Sequence, residues 1–326
     1  MTTVAVIGCG RISDMAHFPA LSQMENVRIK YACDLLIEKA EEKKAKYPKI
    51  EKVITDYKVA LADEEVDAVF VLTPNYAHYT ITMDALKAGK HVLCEKPITV
   101  NYALSVEMLR EWADAGKFGN IYHVYCSFRD FRNIPGLGGA FTTKSQSGGG
   151  VLIDWGIHFL DLILYVLGGA KIKSVTCDAY NEMAKDMKSY KYHGMWAEDT
   201  SNIENGTNDV DDFITGHIRT DKASISFNGA WAQNINKYEL FIDFMGDKGG
   251  ARLTYGGKFE FYDGQTLETI NPEYDIPNMY LCEDTAFIQS IETGVKDKNN
   301  IDNILESMKL LDALYTSAEK KEEIRF

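Results

Sequence analysis

Val4-Ala5-Val6-Ile7-Gly8-Cys9-Gly10-Arg11-Ile12-Ser13 passes from an apolar, β-branched run through two closely spaced glycines into the start of an amphipathic segment. Val4 to Gly8 predicts a buried strand, and Arg11 to Gln23 the helix that follows it. At a strand-to-helix turn of this kind, G-x-G-x-x-G is a phosphate-binding fingerprint. The first glycine makes the tight turn. The second lets backbone N–H groups approach a pyrophosphate at the helix N-terminus. The third position needs a small residue against the sheet. Gly8 and Gly10 fill the first two places and Ser13 the third. From these residues alone, an ordinary glycine-containing turn reads the same.

The rhythm continues outward from this stretch. Strands are predicted at Arg28 to Asp34, Val53 to Ile54, Ala68 to Leu72 and His91 to Cys94. Helices are predicted at Leu36 to Tyr47, Thr80 to Ala88 and Tyr102 to Ala115. Strand, helix, strand at this spacing implies parallel βαβ units with right-handed crossovers. After about residue 120 the pattern changes. A strand over Ile121 to Arg129 leads into the Gly-rich stretch Pro135 to Gly150 and an apolar helix, Val151 to Leu167. Strands then follow one another through Gly-rich turns: Ser174 to Tyr180, Phe213 to Arg219, Ala223 to Asn228, Lys237 to Met245, Ala251 to Tyr255 and Lys258 to Tyr262. A helix over Asp302 to Lys320 closes the chain. The expected architecture is an α/β Rossmann domain with a doubly wound parallel sheet over 1–120. An α+β domain with a large, mostly antiparallel open sheet follows over 121–326. Residues 181–209 are polar and aperiodic, which predicts a lid, a partner arm or a disordered excursion.

Composition narrows the class of partner. The 326 residues carry a formal net charge of -13, which argues against a nucleic-acid or anionic-membrane partner. The N-terminus shows no secretory signal. The longest apolar stretch, Val151 to Leu167, contains Asp154, His158 and Asp161, a poor composition for a membrane span. The six cysteines are scattered without a C-x-x-C pair. That usage predicts reduced, mostly buried thiols in a cytoplasmic protein.

Several residues carry chemistry. Asp34 ends the second predicted strand, where an acidic side chain accepts hydrogen bonds from an adenosine ribose diol and repels a 2′-phosphate. This favours NAD over NADP, although Arg11 lies close enough in sequence to reach a phosphate; a helix-capping Asp is the structural alternative. Thr73-Pro74-Asn75 and His78 lie just past the fourth strand, and Glu95-Lys96-Pro97 just past the fifth. Ligands of doubly wound sheets bind at that edge. A lysine there is a candidate acid/base or charge-stabilising group, or a lysine before a turn-forming proline. Asp154, His158 and Asp161 are spaced i, i+4, i+7 and are expected on one face of an otherwise apolar helix. An Asp one turn before a His can fix its tautomer; a structural Asp–His pair is the alternative, and metal binding is short of ligands. Arg129, Arg132 and Trp155 are candidates for a substrate pocket, Trp155 equally for core packing.

The set Gly8-x-Gly10-Arg11-Ile12, Glu95-Lys96-Pro97 and Asp154-x-Gly156-x-His158-x-x-Asp161 resembles the glucose–fructose oxidoreductase / inositol dehydrogenase / MocA (Gfo/Idh/MocA) oxidoreductases over essentially the whole chain. The resemblance implies an N-terminal NAD(P) domain and a C-terminal sheet domain whose exposed face builds homodimers or homotetramers. It implies that Lys96, Asp154 and His158 are the catalytic positions, with Lys96 and His158 near the reacting oxygen. It also places Thr73, Pro74, Asn75, His78, Glu95 and Lys96 around the cofactor, with Gly8, Gly10, Arg11, Ile12 and Asp34. Ser13 and the 181–209 stretch depart from the family pattern.

The expected function is an NAD-dependent oxidoreductase acting on a secondary hydroxyl of a sugar, glycoside or cyclitol. His158 takes the hydroxyl proton, Asp154 orients His158 and Lys96 polarises the oxygen; either Lys96 or His158 is the formal base. Two other readings stay open at this point. One is a glycoside-cleaving enzyme that oxidises the sugar transiently on bound NAD. The other is a non-catalytic dinucleotide sensor.

Overall fold

The computed structural model describes residues 1–95, 104–194, 197, 203–274, 278–296 and 301–326. The chain forms two compact units. Unit one comprises Met1–Asn101 and Pro277–Asp302, and unit two comprises Tyr102–Ile276 and Asn303–Phe326. The division therefore differs from a single cut at residue 120.

Unit one is built on five strands, β1 (Thr2–Ile7), β2 (Val27–Cys33), β3 (Ile50–Ile54), β4 (Ala68–Val71) and β5 (His91–Cys94). They pair in parallel in the order β3-β2-β1-β4-β5. Successive side chains of a strand point to opposite faces. Val4 and Val6 accordingly join one apolar layer with Phe18 and Phe70, and Ala5 and Ile7 join the other with Val69 and Val71. A sheet covered on both faces needs near-continuous apolar strands, which is why these short runs are legible. Strand order reverses at β1/β4, so the carboxyl ends of these two strands mark the switch point where ligands bind.

Two helices of unit one have no counterpart in the sequence reading, Tyr57–Ala62 and Met279–Thr293. The second returns from far along the chain and packs Ile288, Leu281, Phe287 and Ile291 against the first layer. Glu283 and Asp284 interrupt its apolar stripe. The helix Leu104–Asp114 belongs instead to unit two, where Val106 and Leu109 are buried with Phe118. Sequence rhythm places a helix there but not the core it serves.

Unit two contains β6 (Ile121–Arg129), β7 (Ile172–Tyr180), β8 (Phe213–Thr220), β9 (Ser224–Ala230), β10 (Glu239–Gly246), β11 (Gly249–Thr254), β12 (Phe259–Asp263), β13 (Thr269–Ile270) and β14 (Ile324–Arg325). Their order is β13-β12-β11-β10-β6-β9-β8-β7-β14. Every pair is antiparallel except β6/β9. On the inner face, Phe128 stacks between Phe159 at 5.1 Å and Phe227 at 6.2 Å, which seats the helix Ile157–Val166 on the sheet. The run Lys144–Val166 is apolar and long enough to cross a membrane, and most of it is buried within this unit. The outer face carries Tyr125, Phe241, Asp243, Arg252, Thr215 and His217, all partly or fully exposed.

The expectation of a lid or disordered excursion over 181–209 is corrected by the described part of that segment. It has no regular secondary structure, yet Ala184 and Tyr190 are buried in the core of unit two, with Met183, Met187 and Ile203 packed against it. The buried Asp212 carboxylate accepts the backbone N–H groups of Glu182 at 2.9 Å and Met183 at 2.6 Å. Asn208 Nδ2 donates to the Ala184 carbonyl. The sparse apolar residues lack a period because the backbone is irregular, but Met183, Ala184, Met187, Tyr190 and Ile203 turn inward.

Candidate active site

Gly8 follows β1 with φ +103°, a conformation that glycine adopts without a Cβ penalty. A Cβ there would sit 2.5 Å from the Leu72 carbonyl oxygen. Its N–H donates to the Cys33 carbonyl at 2.8 Å. The turn is thus wedged between the ends of β2 and β4. Gly10 differs: a Cβ there meets no atom within 4 Å. Packing does not demand glycine at this position; the open space is the cradle a pyrophosphate needs. Ser13, at the third fingerprint position, is fully buried, and its hydroxyl donates to the Gly10 carbonyl at 2.7 Å. A serine here closes the turn as well as fitting it. Ile12 packs on the first apolar layer, while the exposed Arg11 donates through Nε to Met15 Sδ.

Asp34 follows β2 and grips the same turn. Its Oδ2 accepts the Cys9 N–H at 2.9 Å and its Oδ1 the Leu36 N–H at 3.0 Å. Each carboxylate oxygen has lone-pair capacity for a second donor, so the residues fit a dinucleotide with a ribose diol at Asp34. Cys9 is buried beside it, and burial followed by the Asp34 charge pushes its thiol up to about 12. After β4, the His78 ring is buried and its Nε2 donates to the Thr73 carbonyl at 2.6 Å, so His78 shapes the Thr73-Pro74-Asn75 loop at the start of the helix Asn75–Lys87.

Glu95 follows β5, and Lys96 lies outside the described residues. Glu95 Oε1 bonds Nε2 of His17 at 3.0 Å, and His17 Nδ1 bonds Asp284 Oδ1 at 2.9 Å. Neither His17 nor Asp284 figures in the sequence reading. His17 ends a π-helical turn, Ser13–His17, and its one signal is an ionisable residue in a run otherwise set for burial.

In unit two, Asp154 lies in a second π-helical turn, Leu152–Gly156, from which the helix Ile157–Val166 continues. Such turns carry i→i+5 hydrogen bonds and hold an extra residue. The i, i+4, i+7 stripe expected of a regular helix is therefore altered. Asp154 is buried and accepts from Trp231 Nε1 at 3.2 Å. His158 is half-buried, 6.4 Å ring to ring from Tyr255, which stacks on Phe159 at 4.5 Å. Asp161 is buried and accepts from the Ser307 hydroxyl in the closing helix Ile301–Lys320. The start of this helical run is held by Asp211, which accepts from Gly150 N–H at 2.8 Å, Leu152 N–H at 3.0 Å and the Tyr315 hydroxyl at 3.1 Å. A Cβ on Gly150 would lie 1.9 Å from the Asp211 carbonyl oxygen. Trp231, Tyr255 and Asp211 escape a sequence reading because these partners are 59 or more residues away.

Of the substrate-pocket candidates, Trp155 is half-buried and packs against the core. Arg129 pairs with Glu239. Arg132, at φ +52°, donates to the Lys191 carbonyl and to Asn234 Oδ1, and its own carbonyl accepts the His193 N–H. It braces the 191–194 backbone.

A profile described as an oxidoreductase family with an NAD-binding Rossmann fold matches residues 2–124, and the GFO/IDH/MocA C-terminal domain matches residues 106–252. The chain belongs to the GFO/IDH/MocA oxidoreductase family. Among GFO/IDH/MocA proteins, D-glucoside 3-dehydrogenase of Escherichia coli (strain K12) is 29% identical, covering 97% of this chain and 95% of that protein. Solved structures share the fold. An oxidoreductase domain protein from Kribbella flavida superposes with a TM-score of 0.83 at 19% identity, over 100% of this chain and 99% of that one. A levoglucosan dehydrogenase in complex with NADH and levoglucosan does so with a TM-score of 0.80 at 18% identity, over 99% of both chains.

Proposed function

We propose that this GFO/IDH/MocA protein moves a hydride between a secondary hydroxyl of a sugar, glycoside or cyclitol and NAD. The observation that carries the reading is the open cradle at Gly10, bordered by an Asp34 carboxylate already fixed in place. When bound, the dinucleotide supplies the hydride acceptor at nicotinamide C4. Gly8, Gly10, Arg11, Ile12 and Asp34 would hold its adenosine and pyrophosphate, with Thr73, Pro74, Asn75, His78 and Glu95 lining the same sheet edge. His158 takes the proton of the substrate hydroxyl as the carbinol carbon is oxidised. Asp154, immobilised by Trp231, orients His158. Lys96 polarises the oxygen. Trp155 and Arg129 contribute to the sugar pocket, Arg129 with its charge shared by Glu239.

The relative named D-glucoside 3-dehydrogenase makes glycosides the first substrates to try. A panel of methyl glucosides, free hexoses and inositols is scored by NADH absorbance; no NADH with any of them would defeat the reading. On a turned-over substrate, Lys96→Ala and His158→Ala should each lose about 10²–10⁴-fold in rate while still binding NAD. Asp154→Ala should lose less. Near-normal turnover in either of the first two variants rejects the assignment. We further propose a cytoplasmic location, supported by five buried free thiols, and self-association into a homodimer or homotetramer through the outer face of the large sheet.

A further inference from the structure

Unit one contains a buried ionic chain of which the reaction as described uses Glu95 alone. His17 and Asp284 have no measurable exposure, and Glu95 is buried at 9%. The imidazole stands between two carboxylates, 2.9 Å from Asp284 Oδ1 and 3.0 Å from Glu95 Oε1. Phe70 and Tyr280 wall it edge-on at 5.7 and 5.9 Å. A neutral imidazole donates from one nitrogen only. Two carboxylates can therefore both be satisfied only by an imidazolium, or by one carboxylic acid donating to a neutral ring. In either form, three ionisable groups share one proton and the chain carries one net negative charge. Burial alone would discharge the ring, but hydrogen bonds to Asp284 and Glu95 raise it to about 10.

A buried ion chain is a poor way to gain stability. Apolar residues of equal volume do as well or better, and breaking such a chain leaves an unpaired buried charge. What it does supply is fixed geometry, because the imidazole can satisfy both carboxylates in one arrangement only. The three residues come from three separate places in the sequence. His17 closes the π-helical turn that follows the glycine turn. Asp284 is carried by the helix Met279–Thr293. Glu95 leaves β5 and is the residue covalently before Lys96.

We propose that His17 and Asp284 are positioning residues that hold Glu95, and through it the peptide from which Lys96 extends, in the orientation the reaction needs. The inference rests on the assignment of Lys96 to the reacting oxygen. His17 thereby couples the turn that cradles the pyrophosphate to the lysine that meets the substrate, within a single domain.

The first test needs neither nucleotide nor substrate. Lysines of the full chain are ¹³C-dimethylated, and the Lys96 resonance is identified by its absence in Lys96→Arg. His17→Gln and Asp284→Asn should each move that resonance while leaving most others in place. An unmoved Lys96 resonance in both variants overturns the proposal. Should His17→Gln fail to fold, Asp284→Asn and Glu95→Gln, which keep side-chain size and a bonding partner, carry the test alone. The second test is a double-mutant cycle on NADH formation, with methyl β-D-glucopyranoside as the first probe. His17→Gln should lower kcat by about 10²-fold, the cost of an ångström-scale misplacement, with little change in NAD affinity. In the Lys96→Ala background the same substitution should cost nothing further, since it acts through Lys96. A merely structural role would give full, additive losses in both backgrounds, and that result rejects the proposal. Normal turnover in Lys96→Ala would instead reject the proposed role of Lys96, leaving the resonance test to judge the positioning.

Discussion

Asp34 fixes the turn with both carboxylate oxygens, and in the proposed function the same carboxylate would meet the ribose diol and set the choice between NAD and NADP. It is pinned by Cys9 and Leu36 N–H groups and cannot swing aside from a 2′-phosphate. NAD should therefore bind more tightly than NADP, and Asp34→Ala should narrow the gap while also weakening NAD itself, because the Cys9 N–H loses its acceptor. Titration by protein fluorescence measures both, and tighter NADP binding by the wild type would contradict the assignment. His17 makes a separate prediction. Its folded-state value of about 10 lies above the ~6.5 of an unfolded chain. The folded protein thus keeps a proton that the unfolded chain releases, and this stabilisation is complete below about pH 6.5 and lost as pH rises towards 10. The melting temperature should fall over that window by more in the wild type than in His17→Leu; parallel curves would show that the ring is not charged in the fold. The turn at Gly8 and Gly10 is legible in sequence because strand, glycines and helix adjoin along the chain. Asp161, Arg129 and Arg132 each engage a partner at least 59 residues away, and no local pattern encodes those pairings.

Strands of the parallel sheet are legible because burial on both faces forces them to be apolar throughout. The helix Met279–Thr293 is not, because its buried face includes Asp284, and a charge inside a core contradicts the pattern by which helices are found. Both π-helical turns are likewise invisible to a period of 3.6, and one carries Asp154 and the other ends in His17. Segment 181–209 shows the opposite failure, since low periodicity conceals real burial. Its Ala184 and Tyr190 are core residues, and Asp212 receives its backbone. Replacing 182–208 by a short Gly-Ser linker should therefore lower the urea midpoint of the protein sharply or prevent unit two from folding. An unchanged midpoint would show that the segment is dispensable.

At the scale of the whole molecule, the two-domain order is readable but the partition is not. Unit one takes back residues 277–302 from the far end of the chain and gives up the helix Leu104–Asp114, because membership follows the core a helix covers and not its place in the sequence. One face of unit two's nine-stranded sheet is partly or fully exposed at Tyr125, Phe241, Asp243 and Arg252, and that face is neither plainly polar nor plainly apolar. In register across β6, β10 and β11 stand Tyr125, Asp243 and Arg252. Arg252 binds Asp243 through two nitrogens at 2.6 Å each and lies 4.3 Å from the Phe241 ring, which in turn is 5.8 Å from Tyr125. Aromatic and Arg residues with their charges already paired are the composition of interface cores. A second copy seated on this face would bury the rings without stranding a charge. Sedimentation should therefore report a dimer or tetramer for the wild type. Tyr125→Arg combined with Phe241→Arg places unpaired charge at the centre of the contact, and should give a monomer that still binds NAD, because the cradle at Gly10 is built within unit one. A wild-type monomer, or a double variant that assembles as the wild type does, would show that the sheet face is not the contact.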